Sequence, residues 1–490
     1  MSSAKKVAIN TGLLLAAEII NKIISFVLIV ALTRYLGDKG LGIYSFVLAF
    51  TGIFTILSNF GLTTYLVREI AGDKKKTKKY FNNIFTLQLV LIVALTSAAI
   101  VTALFLKKFS DVFIIIVIAA IGDFFGMMIM PLKSLFTSYE EMQHVFIISN
   151  AERIAAFLMG FTALFLGFGL KAFMLTYLIS KAAAFLIGMS LVSKFIIKIK
   201  LTFDIEFWKF LIKNSIPFWF SLFFIKLFFR IDTLILSMLK TYEIVGWYSA
   251  AFRIVDSMSV FSFLIVTACF PVMSKFFKNS KELLTLIYKK INYYLIIVVL
   301  PAAAGLFLLS ERVILFIYKN KFAASADVLK VLSIAMIFIF INYSLGYLLN
   351  TINKQKIYSI STGISALANL ILNLLLIPSF SYMGAAAAAL LTHIVNFSIL
   401  YYNSHKNGFK VNFLQLAYKP IIAVFIMSLM VIYFKSLHIL LIIPIASASY
   451  FCMLIILKCF GKDEINLIKS FIPIFMKQKK EPPIFSEEEV

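Results

Sequence analysis

The sequence predicts an all-α, polytopic membrane protein with about fourteen transmembrane helices and both ends in the cytoplasm. Three observations carry this. First, 61% of the 490 residues are hydrophobic and only 14% are charged, against roughly 45–50% and ~25% in soluble domains. Second, the apolar residues fall in runs long enough to cross hydrocarbon, which takes roughly 20 helical residues. Third, Lys and Arg collect in alternate gaps between those runs, as the positive-inside rule requires.

In chain order the runs lie near 11–34, 42–67, 80–106, 112–136, 145–168, 171–194, 211–239, 244–274, 286–309, 326–350, 357–378, 383–403, 416–435 and 438–459. None alternates with the two-residue period of barrel strands, so helices are expected. With the N-terminus inside, the inner gaps hold Arg68 with Lys74, Lys75, Lys76, Lys78 and Lys79, and later Lys275 to Lys290, Lys354, Lys356, Lys406 and Lys410. The outer gaps are poorer, the richest holding Arg312, Lys319 and Lys321. An even number of spans returns the C-terminus to the cytoplasm of a multi-pass plasma-membrane protein. Lys5 and Lys6 precede an apolar run that could resemble a signal peptide. Glu18, Asn21 and Lys22 interrupt it and no small-residue cleavage site follows, so it reads as the first span. After Gly461, residues 463–480 are expected as an amphipathic surface helix, and the acidic, proline-bearing end as disordered.

A net charge of +24 would suggest nucleic acid in a soluble chain. Here the orientation rule accounts for it, and no aromatic stacking platform accompanies the basic runs, so no nucleic-acid partner is expected. Cys269, Cys452 and Cys459 and the four scattered histidines form no metal or disulfide pattern. No phosphate-binding loop, nucleophile elbow or zinc-protease helix is present. The outer gaps leave no room for a soluble catalytic module, and no enzymatic activity, metal or cofactor is expected.

Two short motifs recur. Leu41-Gly42-Ile43-Tyr44-Ser45 matches Val245-Gly246-Trp247-Tyr248-Ser249, 204 residues on, and Gln143-His144-Val145-Phe146 matches Gln355-Lys356-Ile357-Tyr358, 212 residues on. Both steps equal six spans, which preserves orientation, so a parallel duplication is expected. The units are then residues 1–196, a linker at 197–210, a second six-helix bundle at 211–410, two further spans at 411–460 and a tail at 461–490.

Ionisable residues inside spans cost ~2.5–3.5 kcal/mol each on the insertion scale, so they mark sites or partners. Span one carries Glu18, Asn21, Lys22 and Ser25 on one helical stripe. Span seven carries Lys226, Arg230 and Asp232, and span eight Arg253 and Asp256. At 1.5 Å per residue, Arg230, Asp232, Arg253 and Asp256 share a level roughly 10–18 Å below the outer surface. Two readings stay open. The four neutralise one another between helices, or they line a wet cavity whose cations hold an anion. Glu18 and Lys22 carry the same choice between a simple ion pair and a site. Asp123, Glu152, Arg153 and Lys181 read as structural or snorkelling charges, and Asn342, Asn369, Asn373 and Asn396 as contacts between helices.

An ordered set of segments resembles one known family. It comprises Leu32 to Gly37, Gly40 to Ser45, Asn59-Phe60-Gly61-Leu62, Val67 to Ala71, Asn214-Ser215-Ile216-Pro217, Arg230 to Leu234, Val245 to Arg253, Asn353 to Lys356, Asn369 to Pro378 and Met383 to Ala386. Together these resemble the polysaccharide-export, oligosaccharide-lipid flippases, whose superfamily also holds multidrug exporters and peptidoglycan-precursor flippases. The resemblance implies two six-helix bundles in a V shape, with two C-terminal helices outside them. It implies alternating access driven by a proton or sodium ion. The implied substrate is a polyprenyl-diphosphate-linked oligosaccharide, moved from the cytoplasmic to the outer leaflet, with membrane lipid and glycan-assembly proteins as partners. Arg34, Asp232 and Arg253 lie in matching motifs; Lys22 and Lys226 rest on depth alone. On this reading Lys22, Arg34, Lys226, Arg230 and Arg253 hold the substrate, and Glu18, Asp232 and Asp256 balance charge or carry the coupling ion. A multidrug exporter of the same fold and a membrane-embedded glycan polymerase remain as alternatives. The cationic excess speaks against the first, and the short outer gaps against the second.

Overall fold

The computed structural model describes the backbone of residues 3–228 and 230–460. Side chains are described from Lys22 onward, apart from residues 107–108, 217–218, 220–222, 225–227, 229 and 278–279. The tail expected to form a surface helix and a disordered end lies outside the described residues.

The described residues form helices and short connections, with no strand among them. They run as α1 (Ser3–Asn59), α2 (Leu62–Gly72), α3 (Thr77–Phe105), α4 (Phe113–Ser138), α5 (Met142–Phe165), α6 (Gly169–Phe195), α7 (Ile205–Phe228), α8 (Ile231–Leu239), α9 (Tyr242–Asn279), α10 (Lys281–Leu308), α11 (Ser310–Tyr318), α12 (Ser325–Thr351), α13 (Gln355–Lys406), α14 (Phe413–Tyr433) and α15 (Ile439–Ile456). Eleven stretches among them are long and apolar enough to cross a membrane. Two of these hold two crossings each. α1 breaks at Gly37, where φ is 74°, and α13 breaks at Ser381, where φ is 54°. The first break uses the residue that tolerates such a φ without strain. At the second, Gly384 supplies the closeness instead: a Cβ there would lie 2.4 Å from the Leu376 carbonyl oxygen on the facing arm. The pair α7–α8 supplies the remaining crossing, giving the fourteen that hydropathy predicts.

The sequence treats residues 211–239 as one straight span, whereas the structure ends α7 at Phe228 and starts α8 at Ile231. Non-helical backbone at membrane depth is tolerated where it lines a wet cavity, and Arg230, at this break, lines one.

The broken turns give the molecule two recognisable ends. One carries Gly37, Lys240, Leu309 and Ser381; the other carries Gly61, Tyr139 and Asn407. At the Gly37 end, α1 packs closely along α9. The two matching motifs meet there: a Cβ on Gly42 would lie 1.7 Å from the Tyr242 carbonyl oxygen, and one on Gly246 would lie 2.1 Å from that of Asp38. Lipid gives helices no hydrophobic reason to associate, so small residues that admit close backbone approach hold such interfaces.

Candidate functional site

The charges that the sequence places on one level occupy separate environments. Asp232, in the first turn of α8, is buried. Its carboxylate accepts hydrogen bonds from the Tyr248 hydroxyl of α9 (2.7 Å) and the Asn373 amide of α13 (2.7 Å). Asn373 is oriented in turn by Asn369, whose side-chain oxygen accepts at 2.8 Å. Among the described residues the partners of Asp232 are all neutral. The pairing of Asp232 with the arginines, one of the two readings above, is therefore not what the structure shows. Arg230 and Asp232 are two residues apart and lie on opposite sides of a helix start.

Asp256 takes a different partner. Its carboxylate lies 3.2 Å from the Lys22 ammonium, joining α9 to α1. Both side chains keep over a third of their exposure, so the pair contributes about 0–1 kcal/mol. Glu18, the other expected partner of Lys22, and Lys226 lie outside the residues whose side chains are described.

Arg253 lies one helical turn before Asp256. Its guanidinium carbon stands 5.3 Å from the centre of the Tyr44 ring, a cation–π contact with the repeated motif. Its Nε is buried and has no hydrogen-bond partner. A buried donor left unmatched costs about 1–3 kcal/mol, and among the described residues no acceptor meets this one.

Arg230 is exposed to a cavity of about 540 Å³ lined by α1, α4, α5, α6 and the α7–α8 break. The charged lining is Lys133, Arg153, Lys181 and Arg230 against Asp123 and Glu152. Four formal positive charges face two negative ones, and Lys181 pairs with Asp123. Lys181 donates to Asp123 at 2.9 Å. The Tyr177 hydroxyl donates to the same carboxylate at 2.5 Å and the Thr51 hydroxyl at 2.7 Å. Lys181 also donates to the Tyr177 oxygen. Breaking a buried pair of this kind by removing one partner costs about 3–5 kcal/mol. Asp123→Ala is therefore expected to lower the melting temperature of the purified protein markedly, with Lys181→Met, which removes the cation but leaves an apolar stem, costing less. Equal, small shifts for both would show that the pair carries no such load.

The lining differs from expectation in its helices. The sequence draws attention to charges on spans one, seven and eight, whereas α4, α5 and α6 contribute most of the charge around this cavity. Lys133 sits near the end of a predicted span, where a lysine reads as snorkelling, and Arg153 was set aside for the same reason. Their signal is tertiary: only the packing of α4 on α6 and of α5 on α6 turns isolated charges into a wall.

Arg34 faces away from this cavity. It donates to the backbone carbonyls of Ile317 (2.7 Å) and Phe316 (2.6 Å) at the last turn of α11. A cation there satisfies carbonyls that a helix end leaves open. Arg34 thus ties the first bundle to the second at the Gly37 end. Trp247 adds to the same tie, donating to the Asp38 carboxylate and the Lys321 carbonyl, both at 3.1 Å.

Comparison with known proteins agrees with this architecture. A segment of 166 residues is 28% identical to the probable low-salt glycan biosynthesis flippase Agl15 of Haloferax volcanii, covering 34% of this chain and 35% of that protein. The match thus spans about a third of the relative's length. In three dimensions the chain is similar to the lipid II flippase MurJ in an inward closed conformation, with a TM-score of 0.74 and 17% identity over 90% of this chain and 98% of that one. It is also similar to an inward-facing multidrug resistance transporter of the MATE family, with a TM-score of 0.64 and 12% identity over 81% and 95%. At these identities the structures speak for the fold alone. The family model described as polysaccharide biosynthesis protein matches residues 7–277, more than half of the chain. The protein accordingly belongs to the polysaccharide biosynthesis protein family.

Proposed function

We propose that this protein flips a polyprenyl-diphosphate-linked oligosaccharide from the cytoplasmic to the outer leaflet by ion-coupled alternating access. The observation that carries the reading is the cavity on Arg230, where four basic side chains face two carboxylates at membrane depth. A diphosphate brings negative charge into a region of low dielectric, where desolvated guanidinium and ammonium groups offset it. A sugar head fits a polar, hydrated lumen, and flipping leaves the lipid tail in hydrocarbon throughout. If the N-terminus lies inside, as the basic gaps suggest, the Gly37 end is the outer one, and its close contact with α9 supports a cavity open towards the cytoplasm, where such precursors are assembled.

Asp232 is our candidate for the coupling ion. Among the described residues its hydrogen-bond partners are a hydroxyl and an amide, and it joins α8, α9 and α13, so a change in its charge acts on three helices. The test is reconstitution of the purified protein in proteoliposomes with a labelled polyprenyl-diphosphate oligosaccharide, scored by accessibility of the label to a membrane-impermeant quencher. Flipping is expected, faster under an imposed proton or sodium gradient, and Asp232→Asn is expected to remove the gradient dependence. Absence of flipping together with efflux of organic cations would move the protein to the multidrug reading.

A further inference from the structure

We propose that the cleft between α10, the end of α13 and the start of α14 binds the phosphate headgroup of an anionic phospholipid. This cleft is separate from the transport cavity and uses none of its helices. It measures about 610 Å³ and is lined by Lys289, His405 and Lys410, together with Asn412 and Gln415. A second cleft of about 450 Å³ shares Lys289 and adds Lys281. The two make one basic groove.

Four features favour a phosphate. Among the described residues Lys281, Lys289 and Lys410 make no ion pair; Lys281 instead lies over the Phe409 ring, 5.6 Å from its centre. The one carboxylate in the groove, Glu282, is turned to the Ser280 hydroxyl at 2.9 Å. The N-terminus of α14, a helix of 21 residues, opens onto the cleft, with the Asn412 side chain capping the Gln415 amide at 3.1 Å. The remaining first-turn amides and the helix dipole favour an anion there. The floor is also rigid. The Ser404 hydroxyl and the Tyr401 hydroxyl bond the carbonyls of Phe409 and Val411, both at 3.1 Å. Gly408 holds a φ of +90°, with the Lys281 ammonium lying 2.6 Å from where its Cβ would be.

The surroundings select a lipid over a soluble anion. Leu414 and Tyr418, four residues apart on α14, and Leu286 on α10 are strongly exposed beside the cleft. A basic pocket bordered by exposed apolar and aromatic side chains matches a headgroup with its acyl chains running along the helices, at the level where tyrosines anchor a bilayer interface. The inference does not depend on the flippase reading.

The test uses the full chain, purified and delipidated in a neutral detergent, with bound lipid counted by native mass spectrometry. Phosphatidylglycerol is expected to be retained and phosphatidylcholine to be lost. The double variant Lys289→Gln/Lys410→Gln should weaken phosphatidylglycerol retention roughly thirtyfold, the effect of two juxtamembrane charges. Lys435→Gln, at the other end, should leave it unchanged, and unchanged melting of the lipid-free double variant would show that it folds. Equal retention by the double variant and the parent would overturn the site. Equal retention of both lipids would overturn the anion selectivity. Competition by inorganic phosphate at the same concentration as the lipid would reassign the groove to a soluble anion.

Discussion

Gly42→Ala is expected to abolish transport and to open the Gly37 end of the molecule. The added methyl would sit 1.7 Å from the Tyr242 carbonyl oxygen and 2.6 Å from its carbon. These are backbone atoms, so no side-chain rotation relieves the overlap and α1 must move away from α9. Gly246, at the matching position of the second motif, meets the Asp38 backbone in the same way, so Gly246→Ala should act alike. Overpacking costs about 1–3 kcal/mol even where side chains can yield. At the upper end of that range, a balance between closed and open forms shifts by about a hundredfold. The closed form also holds the bonds from Arg34 to α11 and from Trp247 to Asp38, which part with the helices. The readout is a cysteine placed at Ser249, a buried residue of the second motif, labelled by an impermeant thiol reagent after the three native cysteines have been replaced. Labelling should be slow with Gly42 and at least about tenfold faster with alanine. Unchanged labelling with normal flipping would show that this contact is not the seal.

The same pair of glycines shows how far the sequence could be read. The two five-residue motifs are visible as a recurrence and their six-span spacing as a topology, but not that the copies touch. That requires knowing how the helices pack. Hydropathy located the crossings because the energy of placing a residue in lipid is local and additive along a run. The charged site is a different kind of problem. Depth was estimated on straight helices, and the break between α7 and α8 turns Arg230 into the cavity while Asp232 goes into the bundle. Lys181 and Asp123 are 58 residues apart on different helices, so no spacing rule joins them. Arg34 fits a family motif and sits at a helix end, and both facts hold whether it meets a substrate or, as found, the carbonyls of α11. Lys133 and Arg153 carry no local mark that separates a cavity wall from a snorkelling charge.

Arg253→Gln is expected to slow flipping sharply without loss of stability, which distinguishes it from Asp123→Ala. The argument rests on what Arg253 lacks. Among the described residues its Nε is buried without an acceptor, and its guanidinium lies against the Tyr44 ring. A native state that leaves such a donor unmatched gives up about 1–3 kcal/mol, so a neutral replacement of similar length should melt at the same temperature or slightly higher. Asp123 is the reverse case: three donors converge on it, and its loss strands a buried ammonium. During transport, the missing partner of Arg253 would be a phosphate oxygen, a charge-assisted contact worth about 1.5–3 kcal/mol. Removing it should slow flipping about ten- to a hundredfold. Arg253→Lys keeps the charge but not the planar fork, and should recover only part of the rate. Flip rates in proteoliposomes and melting temperatures of the same preparations check both halves. A glutamine variant that flips at the parent rate removes Arg253 from the substrate path. One that unfolds instead makes the guanidinium a structural element of the α1–α9 contact, leaving Arg230 and the wall built on α4, α5 and α6 to hold the anion alone.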